Sequence, residues 1–557
     1  MSNKEIAKAF KLTAQLMELH DENPFKVRSI QNAAFKLERH PVPIEKMSIE
    51  EIGGIEGVGK SIQAKISDLL SRNSFQEMDE MLQQTPKGVI DLLGVKGIGP
   101  KKVRTLWKEL GIESTGELLY ACNENRLVEL KGFGEKTQLQ IKQAIEYAEA
   151  NQGKYLYAVI EPIALQLFQD LRNSGLVSEC SYSGDFRRKL EVQTQIDMVV
   201  ACDDHAALAE FIQSHPLMDK DSFRSENNSI SANIAGKLPL NIFIGTKENY
   251  ASLLFDTTGN PEHIRLLKEN YNWKENIQAK SEEEIYASVQ LPYFEPELRE
   301  GAAEFTFLKD GKLPVLVTDS DLKGILHNHS TYSDGAHTLE EMAVYCKELG
   351  YQYLGICDHS KTAFYANGLQ PERILQQHQE IEKLNASLAP FKIFKGIESD
   401  ILADGSLDYP EEILKSFDFI VASVHSILRM DKEKATQRLI KAIENPYTTI
   451  LGHPTGRLLL AREGYPIDYK KVIDACAANN VVMELNANPY RLDLDWRYIP
   501  YALEKNVMIS INPDAHRKEG YHDMHYGICV ARKGGLTAAM TFNAFSREEI
   551  AKRFDKK

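Results

Sequence analysis

The sequence predicts a multidomain protein in three parts: an all-helical N-terminal region, a mixed α+β middle and a C-terminal α/β barrel, incomplete or distorted, with seven parallel strands. Three observations carry this. Up to about residue 150, apolar residues recur at three and four spacing, as in Ile6, Phe10, Leu12, Leu16 and in Ile62, Ile66, Leu69, which is the helical period. Between 154 and 300, strand-like stretches at 189–200 and 238–244 lie among helical ones. After 324, seven short apolar runs alternate with helical patterns at 338–349, 372–388, 432–444 and 469–477, and strand-helix alternation implies a parallel sheet. The expected boundaries are 1–150, 151–308, a linker with Gly311 and Pro314 over 309–323, and 324–557.

A chain of 557 residues has room for three or more separate cores. No stretch is apolar enough to span a bilayer and no secretory leader is evident at Met1, so the expected address is cytoplasmic, at the nucleoid, with no membrane partner. The seven cysteines form no CxxC pair, which argues against a disulfide framework and against a thiolate zinc site. A net charge of −14 excludes a coat of cations for nonspecific nucleic-acid binding, so any contact with DNA must come from a placed site.

The helical region repeats one such device three times: Gly57-Val58-Gly59, Gly97-Ile98-Gly99 and Gly132-Phe133-Gly134, each followed by a helix carrying basic residues. A Gly-apolar-Gly turn lets backbone approach a phosphate closely, and free amides at the next helix start point outward. Such turns grip a DNA backbone without reading its sequence. Lys60, Lys101, Lys102 and Arg104 follow the first two turns, and Lys131 and Lys136 bracket the third.

Each of the seven C-terminal runs ends in a metal-seeking or hydrogen-bonding side chain. In order these are His327 and His329, Asp358 and His359, Glu398, His425, His453, Glu484 and Asn486, then Asp514 and His516. A buried parallel strand delivers its last side chain to the carboxyl face of a barrel, where barrel enzymes keep their chemistry. His327 and His329, two apart, face one side of a strand and can hold one cation; Asp334 is set by the following turn to reach back. Mixed imidazole and carboxylate donors without thiolates suit Zn, Mn or Fe in a catalytic site. Asp358 and Glu484 read as partners that orient the histidines.

His327-Asn-His329, Ser333-Asp334-Gly335, Asp358-His359, Gly396-Ile-Glu398, Ser423-Val-His425, Gly452-His453-Pro454 and Asp514-Ala-His516 resemble, in order, the liganding motifs of the PHP (polymerase and histidinol phosphatase) domain. That resemblance implies a distorted barrel with two or three divalent ions, Mn, Zn or Fe, with Glu398 bridging. His327, His329, Glu398 and Asp514 would hold the first, Glu398, His425 and His453 the second, and Asp334, His359 and His516 the third. The implied chemistry is metal-assisted in-line displacement at phosphorus, with Glu398, Asp514, His327 and His329 as catalytic residues. Arg457, Lys361 and Tyr365 are the expected phosphate contacts.

The first 300 residues resemble a family X DNA polymerase, a helix-hairpin-helix region followed by a nucleotidyltransferase-like palm with thumb-like elements. The whole order resembles the bacterial and archaeal members called PolX. Gly184-Asp185-Phe186-Arg187-Arg188, Gln195-Ile196-Asp197 and Thr257-Thr258-Gly259 carry the likeness. In the family, two carboxylates on one strand and a third from a neighbour hold two magnesium ions. Here Gln195 stands for the first, Asp197 remains, and Asn241 aligns with the third. Asp185 replaces a small hydroxyl residue and Lys189 a glycine. Nucleotidyl transfer, and with it any need for Mg, is expected to be absent or very weak. Lys65 matches the Schiff-base lysine that some members use on abasic sites.

The leading expectation is a metal-dependent phosphodiesterase acting on gapped, nicked or abasic DNA in base excision repair, as 3′–5′ exonuclease, abasic-site endonuclease or 3′-end phosphatase. The alternatives are a noncatalytic DNA-end binder and a phosphatase for small phosphate esters.

Overall fold

The structure, a computed structural model, describes residues 1–123, 126–128, 130, 132–150, 152–271, 273, 277 and 279–555. The chain forms two compact units, Met1–Gln152 and Gly153–Lys557.

The first unit is helical throughout, as its periodicity predicts. Its first helix, Asn3–Leu19, starts at a Ser2/Glu5 capping box, and its second, Pro24–Glu38, starts at Asn23 with proline at the first turn; both devices satisfy amides that a helix start leaves unpaired. Their apolar faces meet in one core with Ile62, Ile66, Val103, Leu106 and Ile141. Within it the rings of Phe10 and Phe75 lie 5.1 Å apart.

The second unit opens with a short antiparallel pair, β1 (Tyr155–Leu156) and β3 (Val192–Gln193). A five-stranded sheet follows, built from β2 (Glu179–Ser183), β4 (Ile196–Ala201), β5 (Met218–Glu226), β6 (Ser229–Ile234) and β7 (Leu238–Gly245) in the order β2-β4-β7-β6-β5. The run expected as one strand over 189–200 is broken. Lys189 turns the chain with φ 55°, a left-handed conformation that glycine adopts without steric cost. The segment expected as a linker packs onto the barrel, with Leu316, Val317 and Leu322 buried.

The barrel strands are β8 (Gly324–Ile325), β9 (Tyr353–Ile356), β10 (Lys392–Asp400), β11 (Phe419–Ser423), β12 (Ile450–Leu451), β13 (Val482–Asn486) and β14 (Ile509–Asn512). They pair in sequence order, every pair parallel. The sheet nearly closes. Beyond the strand ends His329 N–H donates to Ala515 O (2.8 Å) and Asp514 N–H to His327 O (3.1 Å). At the other end side chains bridge the seam: Asn543 Nδ2 donates to Gly324 O (3.0 Å) and Ile511 O (2.7 Å), its Oδ1 accepts from Ile511 N–H (3.0 Å), and Asn512 Oδ1 accepts from Leu326 N–H (3.3 Å). Backbone bonds at the mouth and side-chain amides below it thus join the two edges of the sheet.

Alternation along the strands sorts the two faces. Ile420 and Ala422 pack outward under the helices, while Phe419 and Val421 point into the barrel with Tyr353, Phe394, Ile450 and Val482. The C-terminal helix Arg547–Phe554 closes the bottom, with Phe554 stacked on Phe419 at 5.0 Å. Glycine is required at 396, where a Cβ would come 2.5 Å from both Ile356 O and the Phe419 ring. The interior is therefore apolar below and polar above, and the same register that turns Phe394 inward turns Glu398 inward at the top of β10.

Candidate metal centre and nucleic-acid contacts

Glu398, fully buried, is the hub of the upper face. His425 Nε2 and His453 Nε2 lie 3.1 and 3.0 Å from its Oε1, with His327 Nε2 at 3.3 Å; His359 Nδ1 lies 2.9 Å from Oε2 and His329 Nε2 at 3.6 Å. His329 Nε2 also reaches Asp514 Oδ1 at 3.0 Å. At the mouth, Asp334 Oδ1 sits 3.6 Å from His359 Nε2 and 3.4 Å from His516 Nε2. All nine side chains expected as ligands thus meet in one place. Among the described residues they form three groups with donor atoms within 4.8 Å of one another: His327, His329 and Asp514; His359, Glu398 and His425; and His329, Asp334, His359 and His516. His359 stands with Asp334 and His516 as in the expected partition and also beside Glu398 and His425, and His453 meets the cluster through its bond to Glu398.

The donor set fits divalent cations. Nε2 of His327 and Oε2 of Glu398 are buried with close neighbours but without a well-aligned hydrogen bond among the described residues, a costly state unless something else meets them. Burial opposes ionisation of Glu398, yet His425, His327 and His359 outweigh it and hold its carboxyl well below the usual range. For His329, burial acts together with His516 and His359 to push the ring down to about 3, leaving a neutral imidazole of the kind a metal takes.

Partners behind the cluster fix the rings. Glu484 accepts from His327 Nδ1 at 2.6 Å, from Asn512 Nδ2 at 3.1 Å and from the His453 amide at 2.7 Å, the carboxylate-imidazole relation that orients a ligand and raises its basicity. Asp400 does the same for His425 Nδ1 at 2.5 Å; sequence reasoning missed it, although its place two residues after Glu398 puts it on the same strand face. Asp358 has another task than the one expected. It accepts from the amides and hydroxyls of Ser330 and Ser333 and from Gln377 Nε2, so it holds the turn that presents Asp334 rather than a histidine.

The expected phosphate contacts fare differently. Arg457 is spent within the chain: Nε donates to Arg491 O at 2.9 Å, one terminal nitrogen to Asp495 at 2.9 Å and the other to Leu492 O. Lys361 is half-buried, its Nζ 5.5 Å from the centre of the Tyr409 ring. The side chain of Tyr365 lies outside the described residues.

On the five-stranded sheet, register sets Asn241 directly beside Asp197. Asp197 Oδ1 accepts from Gln195 Nε2 (2.8 Å) and Asn241 Nδ2 (2.9 Å), and Oδ2 from Gln195 again (2.9 Å). Burial pushes its carboxyl up, and the two amides work against that. Gly184, with φ 58°, is needed here, because a Cβ would come 2.4 Å from Asp197 Oδ2. Neighbouring basic groups are paired: Arg187 with Glu282 at 2.6 Å, and Arg188 with Glu300 at 3.1 Å and Asp185 at 2.5 Å.

In the helical unit Gly57, Gly97 and Gly132 have φ near 90° (86°, 95° and 89°), and Val58, Ile98 and Phe133 are buried as anchors. The second glycines are more telling. Gly59 and Gly99 cap the helices Lys60–Arg72 and Pro100–Leu110 with negative φ, no side-chain cap and, like Gly134, nothing within 4 Å of where a Cβ would stand. No neighbouring atom fills the space beside these glycines, so the amides that start the two helices are open to approach. Lys60, Lys101 and Lys136 are exposed, and Lys102 lies 5.3 Å over the Phe133 ring; Lys131 lies outside the described residues. Lys65 Nζ is 2.5 Å from Glu77 and 3.1 Å from Ser61 Oγ.

Comparison with known proteins agrees with this layout. Residues 1–75 match a helix-hairpin-helix domain, 89–146 a SAM-like helix-hairpin-helix tandem and 326–488 a PHP domain. Over 99% of both chains the sequence is 33% identical to the DNA polymerase/3′-5′ exonuclease PolX of Bacillus subtilis (strain 168). A probable phosphatase of Thermoanaerobacter sp. (strain X514) is 28% identical over 39% of this chain and 88% of its own, and a probable phosphatase of Acetivibrio thermocellus is 30% identical over 29% and 65%.

Proposed function

The chain belongs to the family of the Bacillus subtilis DNA polymerase/3′-5′ exonuclease PolX, and on that premise we propose that it is a DNA-repair nuclease whose polymerase activity is absent or very weak. The observation that carries the reading is the contrast between its two sites. Eight ligand-type side chains gather with Glu398 at the barrel mouth, whereas Asp197 sits between two neutral amides that hydrogen-bond it.

At the barrel, the ions that the nine residues would hold, Mn, Zn or Fe, supply Lewis acidity, acidifying water and neutralising charge on phosphoryl oxygens. The rest falls to the chain. Glu484 and Asp400 keep the rings of His327 and His425 in place, and the apolar floor of Phe419, Val421 and Ile450 keeps bulk water from below. In hydrolysis of a 3′ terminus, a water oxygen forms a bond to phosphorus, the bond from phosphorus to O3′ of the preceding nucleotide breaks, and that O3′ takes up a proton. The half-exposed Asp334 and His516 stand where the strand end enters. The glycine hairpins hold the flanking duplex by its phosphates, which favours gapped, nicked or abasic substrates and a place in base excision repair in the cytoplasm.

The likeness of the barrel to probable phosphatases favours one second reading, a phosphatase for small esters to which the hairpins are irrelevant. Competition separates the two. Hydrolysis of a small phosphomonoester should be inhibited by gapped duplex at concentrations well below those of the ester itself. Indifference to DNA would establish the small-ester reading.

A further inference from the structure

Arg491 attracts no notice in the sequence, yet much of the surrounding fold holds it in place. The loop that carries it follows β13 and is pinned on three sides. Arg457 donates to the Arg491 and Leu492 carbonyls. Leu459 N–H donates to Tyr490 O at 2.7 Å, and Asn488 O accepts from the amides of Arg491 (2.8 Å) and Leu492 (3.0 Å). What this bracing presents is a guanidinium whose Nε lies 3.7 Å from Asp514 Oδ2, beyond hydrogen-bond length. Asp514 is already served by His329 Nε2 at 3.0 Å and Asn486 Nδ2 at 3.2 Å. Among the described residues the guanidinium of Arg491 makes no hydrogen bond, and the side chain is 22% exposed.

A second guanidinium repels it. Arg462 is braced on Gly456 O by Nε (3.2 Å) and a terminal nitrogen (2.6 Å). Burial, then the charge of Arg491, lowers its pKa. The two guanidinium charges repel, and an anion bound by Arg491 would relieve that repulsion. The planar fork of arginine pairs with two oxygens of a phosphate at once.

We propose that Arg491 is the chain's own clamp on the scissile phosphodiester, bonding its non-bridging oxygens and gaining strength as charge builds on them. This is the role the sequence pattern assigned to Arg457, whose actual task is to hold Arg491. The inference rests on the nuclease reading above.

The test uses full-length protein, an Arg491→Ala variant and an Arg491→Lys variant, with bound metal per chain, kcat and KM measured on a labelled gapped duplex in Mn²⁺. Expected for Arg491→Ala is unchanged metal content, kcat lower by ~10²–10³-fold, the scale for losing one donor to a developing oxyanion, and partial rescue by added methylguanidine. Arg491→Lys should fall between, since a point charge replaces a fork. A wild-type kcat in Arg491→Ala overturns the inference alone, as does metal loss in proportion to activity, which would make Arg491 a prop for Asp514. Wild-type protein inactive on DNA overturns the nuclease reading and the inference with it.

Discussion

Replacing His327 and His329 together by alanine should abolish digestion of a gapped duplex, lowering the rate by ~10³-fold or more. Both rings belong to the group that includes Asp514, and both reach toward Glu398, at 3.3 and 3.6 Å. Their loss removes two imidazole nitrogen donors and leaves the buried carboxylates of Glu398 and Asp514 without them. A site that stabilises transition-state charge by several kcal/mol loses a factor of ten for each ~1.4 kcal/mol forfeited. Metal content per chain should fall in parallel, while the melting of the helical unit should not change. A variant that keeps more than a tenth of the rate would place the chemistry elsewhere.

The opposite change is expected at the other site. The wild-type chain should add no nucleotides to a primer, and Gln195→Asp with Asn241→Asp should create extension where there was none. The parallel register sets residue 241 beside Asp197, and Gln195 Nε2 already contacts both Asp197 oxygens at 2.8 and 2.9 Å. Two carboxylates at these points would complete a three-carboxylate set. Magnesium is bound through anionic oxygens and is reluctant to dehydrate for neutral ones. The present amides moreover donate hydrogen bonds to the one carboxylate left. Extension is best read in the His327→Ala/His329→Ala background, where digestion cannot mask it. Extension by the unmodified chain at a rate similar to that of the substituted one would show that amides suffice.

What the sequence revealed and concealed follows from how local each signal is. The hairpins were legible because Gly57, Gly97 and Gly132 serve a local backbone need. The ligands were legible because a strand end delivers its last side chain to a known face: Glu398 follows Phe394 by the period of two. The division of the donors was legible in part: Asp334, His359 and His516 stand together as expected, but that His359 also stands beside Glu398 and His425 depends on pairing between β9 and β10. Loops were the main blind spot. Arg457, close to His453 in sequence, is consumed by the 491–495 segment, and Arg491 becomes prominent only through that tertiary contact. Nor does any pattern announce that Asn543, from beyond the last strand, bridges the barrel seam.

The most direct test is a single electrophoresis experiment: a labelled primer in a gapped duplex, incubated with the wild-type chain and Mn²⁺, with and without all four deoxynucleoside triphosphates. The result predicted is stepwise shortening from the 3′ end in both lanes, with no product longer than the primer. Lengthening when nucleotides are present, or an unchanged primer in both lanes, would contradict a working nuclease beside a silent polymerase site.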